Sequence, residues 1–182
     1  MHRWLGLLLL ALLGGARADE QVMVCYGYGC AHQAPALFAD SQLDPLLARL
    51  GTAHDGVDER RLLAEAVGQL YGWAGQQTPI HADRGGNYAD EGRRGSMDCI
   101  DHSLTTTRLL TMLANRGGLH FHHVIARVLR TRGMIFEHYS AAIAESGEGA
   151  RRYAVDSWFV DNGKPAVILP LDEWMDGGGP DV

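Results

Sequence analysis

Two apolar stripes at helical spacing dominate the first half of the chain. Between Pro35 and about Gly75, Leu43, Leu46, Leu47 and Leu50 recur on one face; Leu62, Leu63, Ala66, Val67, Leu70, Trp73 and Ala74 form a second stripe, and Gly51, Asp55 and Gly56 mark a turn between them. The spacing predicts two N-terminal helices. Residues 76–96 carry Pro79, Gly85, Gly86, Gly92 and Gly95 among charges of both signs with no usable period, which predicts a long surface loop.

A third helix is predicted over Cys99–Asn115, stopped by Arg116-Gly117-Gly118. Ile100, Leu104, Leu109, Leu110, Met112 and Leu113 fall on nearly every side of it, while Asp101, Arg108 and Asn115 make one narrow polar stripe. A helix apolar almost all round is buried on most faces. Asp98 stands at its N-cap with Asp101 in the position of a capping-box acid, so Asp101 and Arg108 are expected to serve the helix and not a chemical step. Three strand-like segments follow, His120–Arg130, Met134–Ala144 and Arg152–Val160, with short turns that predict an antiparallel meander. Lys164–Trp174 reads as one more extended piece, and Gly177-Gly178-Gly179-Pro180 as a frayed end. The fold class expected is α+β, with N-terminal helices and a buried helix packed on an antiparallel sheet.

At 182 residues, 46% hydrophobic, the chain suffices for one core and not for two large ones. Its net charge of −6 gives no electrostatic reason to expect nucleic acid or an anionic membrane as partner. At the N-terminus, Arg3, the apolar run Leu5–Leu13 and Ala16-Arg17-Ala18 have the form of a secretory signal peptide over residues 1–18. Residues 19–182 are then expected as an exported chain in a bacterial periplasm or secreted, with no membrane insertion after cleavage. That compartment permits disulfides. Three cysteines cannot all pair within one chain. Cys25 and Cys30 flank Tyr-Gly-Tyr-Gly, a loop that can curl to disulfide distance; the alternatives are two free buried thiols or a pairing with Cys99.

A cysteine in the first turn of a helix meets unpaired N–H groups that favour thiolate. His138 and Asp156 lie in successive predicted strands, where same-face side chains can meet, so a Cys99–His138–Asp156 nucleophile, base and orienter is expected. The Cys99 N–H offers one oxyanion donor, and Asn87 or Tyr88 offers a second. Asp98 and Asp101 oppose the thiolate from within one turn.

The segment Gly95-Ser96-Met97-Asp98-Cys99-Ile100-Asp101-His102, opening a helix that ends Leu113-Ala114-Asn115-Arg116-Gly117-Gly118, resembles the nucleophile helix of bacterial transglutaminase-like cysteine peptidases. His138 in Glu-His-Tyr-Ser and Asp156 in Ala-Val-Asp-Ser-Trp are similar to the strand-borne histidine and aspartate of the wider papain-related superfamily. The resemblance covers roughly Gly95 to Val160. It implies a single transglutaminase-like domain over residues 19–182, with its core at about 95–160, acting on the amide or peptide bond of a peptide or protein without a cofactor.

Two other readings compete. One is an exported binding or adaptor module on the same core without chemistry, using Trp158 or Trp174. The other is a metal-dependent protein using His120, His122 and His123; two nitrogens on one strand face do not make a site, and these histidines are expected at an exposed strand start. Asp55, Asp58 and Glu59 read only as a helix-start acid cluster.

Overall fold

The structure, a computed structural model, describes residues 19–132, 136–147 and 149–180. The segment 1–18, expected as a signal peptide, lies outside them, as does the turn that begins the second predicted strand of the meander. The fold is α+β, with two antiparallel sheets.

The chain opens on a hairpin, β1 (Glu20–Tyr26) paired with β2 (His32–Phe38). This corrects the helical reading from Pro35. Residues 35–38 alternate: Ala36 and Phe38 are buried while Pro35 and Leu37 are exposed, a period of two. A two-stranded ribbon leaves each strand an edge on which a proline's missing N–H costs no ladder bond. Helices α1 (Asp40–Leu50) and α2 (Gly56–Gln77) follow, with the two predicted stripes turned inward and the Asp55 carboxylate accepting from the Asp58 N–H as the cap of α2. The loop after α2 starts with a 3-10 turn at Pro79–Ala82.

Helix α3 (Cys99–Asn115) has the predicted bounds and cap. The Asp98 carboxylate accepts from the Asp101 N–H at 2.9 Å, and the Asp101 carboxylate accepts from the Asp98 N–H at 3.2 Å. Its run Thr105-Thr106-Thr107 is poor helix material, costing up to about 0.7 kcal/mol per residue against alanine. Packing outweighs that cost: Leu109, Leu110 and Leu113 are fully buried, each contributing roughly 1.5–3 kcal/mol. The polar stripe faces the hairpin, where Arg108 donates to the Met23 carbonyl at 2.7 Å and to Gln33 Oε1 at 3.1 Å.

The second sheet has the order β3 (His122–Arg132), β4 (Phe136–Glu145), β5 (Arg152–Asp156) and β6 (Val167–Pro170). Tyr153, Val155, Ala141 and Ile143 join the core with α2 and α3, while Ala154 joins a smaller cluster with Trp158, Phe159, Leu171 and Trp174. The third predicted strand ends early, at Asp156, because that carboxylate accepts the Trp158 N–H at 3.2 Å and turns the chain out of the ladder. The extended piece at Lys164–Trp174 divides into β6 and the short helix α4 (Leu171–Met175). Nor does the glycine-rich tail fray: the buried Arg130 guanidinium donates to the carbonyls of Trp174 at 2.6 Å and Gly178 at 2.9 Å.

His122 is buried, not exposed. It meets Glu59 at 2.7 Å, and the same carboxylate accepts the His120 and Phe121 N–H groups. Glu59 therefore latches β3 to α2 instead of merely facing a helix dipole. Burial disfavours its charge, yet these donors hold its pKa below the usual carboxylate value.

Candidate active site

Ala142 pairs with Ala154 across β4 and β5, and His138 and Asp156 lie an even number of residues from that pair. Both side chains therefore point to the same face. His138 Nε2 meets Asp156 Oδ2 at 2.7 Å, with both groups almost fully buried. The nitrogen left for Cys99 is Nδ1. Cys99, half-buried in the first turn of α3, packs against the same aromatic cluster, and its Sγ lies 3.9 Å from the Glu137 carbonyl. The structure brings the three predicted residues together from a helix start and two strands.

Burial alone would strip the proton from His138. The Asp156 hydrogen bond and charge, and the adjacent Cys99, outweigh it and raise the imidazole to about 9. The ring is boxed by Trp158 at 4.9 Å, Phe159 at 5.6 Å and Trp174 at 5.7 Å between centroids. Asp156 is saturated: besides His138 and the Trp158 N–H, it accepts the Trp174 indole N–H at 2.8 Å. A buried carboxylate with three donors holds an imidazolium without being free to move.

The second oxyanion candidates part company. Asn87 makes local bonds, its Oδ1 accepting from the Ala89 N–H at 2.9 Å and its carbonyl from the Tyr28 hydroxyl at 3.5 Å. Tyr88 stands at the site, exposed, with its ring 4.7 Å from Trp158. Its hydroxyl is raised by burial and by the charges of Cys99 and Asp156, against the opposing pull of Arg130.

Two groups escaped the sequence reading. One is a buried chain beside Cys99: Asp83 Oδ2 lies 3.0 Å from His102 Nε2, and His102 Nδ1 lies 2.8 Å from Ser157 Oγ, which also meets Thr106. Asp83 additionally accepts the Met97 N–H, so this chain ties the approach to Cys99 to the residue after Asp156. The signal in the sequence is a histidine off the polar stripe of a helix expected to be buried on most faces. The other is Trp174, which sequence distance hides from Asp156.

Cys25 and Cys30 form a disulfide, leaving Cys99 as a free thiol. Among the described residues, the His, Cys, Asp and Glu atoms close enough for a metal are those of Cys25, Cys30 and Asp101, and the two sulfurs are bonded to each other. A groove of about 670 Å³ lined by Leu129, Arg152, Tyr153, Leu171 and Met175 lies in the sheet region; it holds none of Cys99, His138 or Asp156, so the chemistry places the site outside it. Protein-family models, curated proteins and solved structures contain no match to this chain.

Proposed function

We propose that this chain is an exported cysteine-dependent acyl-transfer enzyme, a single transglutaminase-like domain over residues 19–182 with its core at about 95–160, hydrolysing an amide or peptide bond in a peptide or protein. The observation that carries this reading is the imidazole of His138, held by Asp156 on one nitrogen and adjacent to Cys99. A free thiol titrates near roughly 8.5 and is mostly protonated at neutral pH, so a useful sulfur nucleophile needs an adjacent imidazolium and a helix start. Both are present. The Cys25–Cys30 disulfide is compatible with an oxidising compartment, and no described helix is long and apolar enough to cross a membrane.

In the reaction, the Cys99 thiolate attacks the carbonyl carbon; a C–S bond forms and the carbonyl π pair moves to oxygen, facing the Cys99 N–H. His138 Nδ1–H passes its proton to the leaving nitrogen as the C–N bond breaks, giving a thioester. Water then attacks, His138 Nδ1 takes its proton, and C–S cleavage restores the thiolate.

The test is labelling by a peptidyl chloromethyl ketone at neutral pH, read by mass on the intact protein. One label at Cys99 is expected, and none in Cys99→Ala. Turnover of a fluorogenic peptide should vanish in Cys99→Ala and His138→Ala and persist slowly in Asp156→Asn. If His138→Ala leaves the rate and pH dependence of Cys99 alkylation unchanged in a folded protein, the binding-module reading replaces the enzyme.

A further inference from the structure

The loop between Cys25 and Cys30 runs left-handed through four successive residues, with φ of 84° at Gly27, 66° at Tyr28, 64° at Gly29 and 58° at Cys30. Glycine takes such angles freely; tyrosine and cysteine do so only when held. Successive left-handed residues turn their N–H groups toward one concave side. Here the concavity is filled by carboxylates from the head of α3: the Tyr28 N–H donates to Asp101 Oδ2 at 2.8 Å, the Gly29 N–H to Asp98 Oδ2 at 2.9 Å and the Cys30 N–H to Asp101 Oδ1 at 2.6 Å. The Gly27 N–H reaches the Ser96 carbonyl at 2.9 Å, and the Tyr28 hydroxyl reaches Asp90 Oδ1 at 2.7 Å, so the loop also grips the segment leading into Cys99.

These two carboxylates are the charges that disfavour a thiolate one turn away. We propose that the disulfide-closed loop Cys25–Cys30 is a positioning element for the nucleophile: its three N–H groups sit against Asp98 and Asp101 and screen their charge from Cys99 at the start of α3. The bond that closes the loop holds Tyr28 and Cys30 in their left-handed conformation, so opening it strips both carboxylates of the loop donors and leaves them only their capping-box N–H groups. This rests on reading Cys99 as the nucleophile. The other titratable and charged groups at the two sites are His138, Asp156, Arg130 and Tyr88 around Cys99, and Asp90 and Arg108 beside the loop, where Arg108 donates to Cys25 Sγ at 3.3 Å.

The experiment compares the pH profile of Cys99 alkylation by iodoacetamide in the disulfide-bonded protein and in Cys25→Ser/Cys30→Ser. The profile's midpoint should rise by roughly half to one pH unit, slowing alkylation about threefold to tenfold at neutral pH. Adding Asp101→Asn to the paired-serine protein should restore at least half of that shift, which loosened packing alone would not do. A folded paired-serine protein with the original midpoint, or one whose shift Asp101→Asn does not move, overturns the proposal. If the paired-serine chain does not fold, the same profile is taken after phosphine reduction, in which the phosphine goes to its oxide and the two sulfurs become thiols, with Cys99 followed by peptide mass. Unfolding in both arms makes the bond a fold staple and overturns the proposal as well. His138→Ala is the control: a profile that ignores His138 sinks the nucleophile reading, whereas one that responds to His138 and ignores the loop sinks this inference alone.

Discussion

His138 carries a proton where an ordinary histidine would not. Its folded pKa of about 9 lies above the unfolded value near 6.5, so its contribution to stability is complete below about pH 6.5 and is lost as pH rises through 9. The stability difference between the protein and His138→Ala, from urea melts at pH 6 and pH 10, should shrink at the higher pH. The proposed reaction has the same limit, because its leaving nitrogen would need the imidazolium proton. Peptide turnover should fall above about pH 9 while alkylation of the thiolate continues, and parallel loss of both would contradict the assigned roles. Trp174→Phe keeps an aromatic ring beside His138 but removes the N–H given to Asp156 together with part of the buried indole. Losing a hydrogen bond to a buried carboxylate and part of a buried ring should cost about 3 kcal/mol or more in a urea melt, and an Asp156 charge relieved of one donor should raise the imidazole pKa seen by NMR titration.

Helix α3 was the most legible element, since stop, cap and polar stripe agree at every level from Asp98 to Gly118. Its neighbours were harder to read for identifiable reasons. The hairpin is short, and Pro35 at a strand edge imitates a helix start. Asp156 ends its strand through a side-chain bond that no periodicity reveals. Glu59 and His122 look like surface residues in sequence and become a buried pair only when α2 meets β3. The polar interior of α3 gives the sharpest test of element packing. His102→Ala would leave the Asp83 carboxylate, 1% exposed, with the Met97 N–H and no imidazole. A loss of about 3 kcal/mol or more is expected in denaturant melts, against nearly none for Thr111→Ala on the exposed side of the same helix. Equal, small losses would mean that the Asp83–His102–Ser157 chain is not a structural joint.

At the scale of the molecule, both ends of the described chain converge on the middle. The hairpin at residues 20–38 clasps the head of α3, and the segment 171–180 closes over His138 and Asp156, held by Arg130. Sequence order made the three central residues findable because they sit on regular elements; the clasping ends rely on side-chain and carbonyl contacts spanning 18 to 85 residues. Removing residues 171–182 should therefore leave β3–β5 paired but expose the His138–Asp156 bond to water. The imidazole pKa should drop toward 6.5, and Cys99 alkylation at neutral pH should slow, both measurable on the truncated protein beside the intact one.

The Arg130 clamp also orders events in time. A ribosome releases Cys99, then His138, then Asp156, and only afterwards Trp174 and the carbonyls that Arg130 grips. A nascent chain holding all three central groups thus still lacks the indole that saturates Asp156 and the wall that dries His138. If Cys99 is the nucleophile we propose, a chain not yet made through Gly178 carries its sulfur in a dormant form.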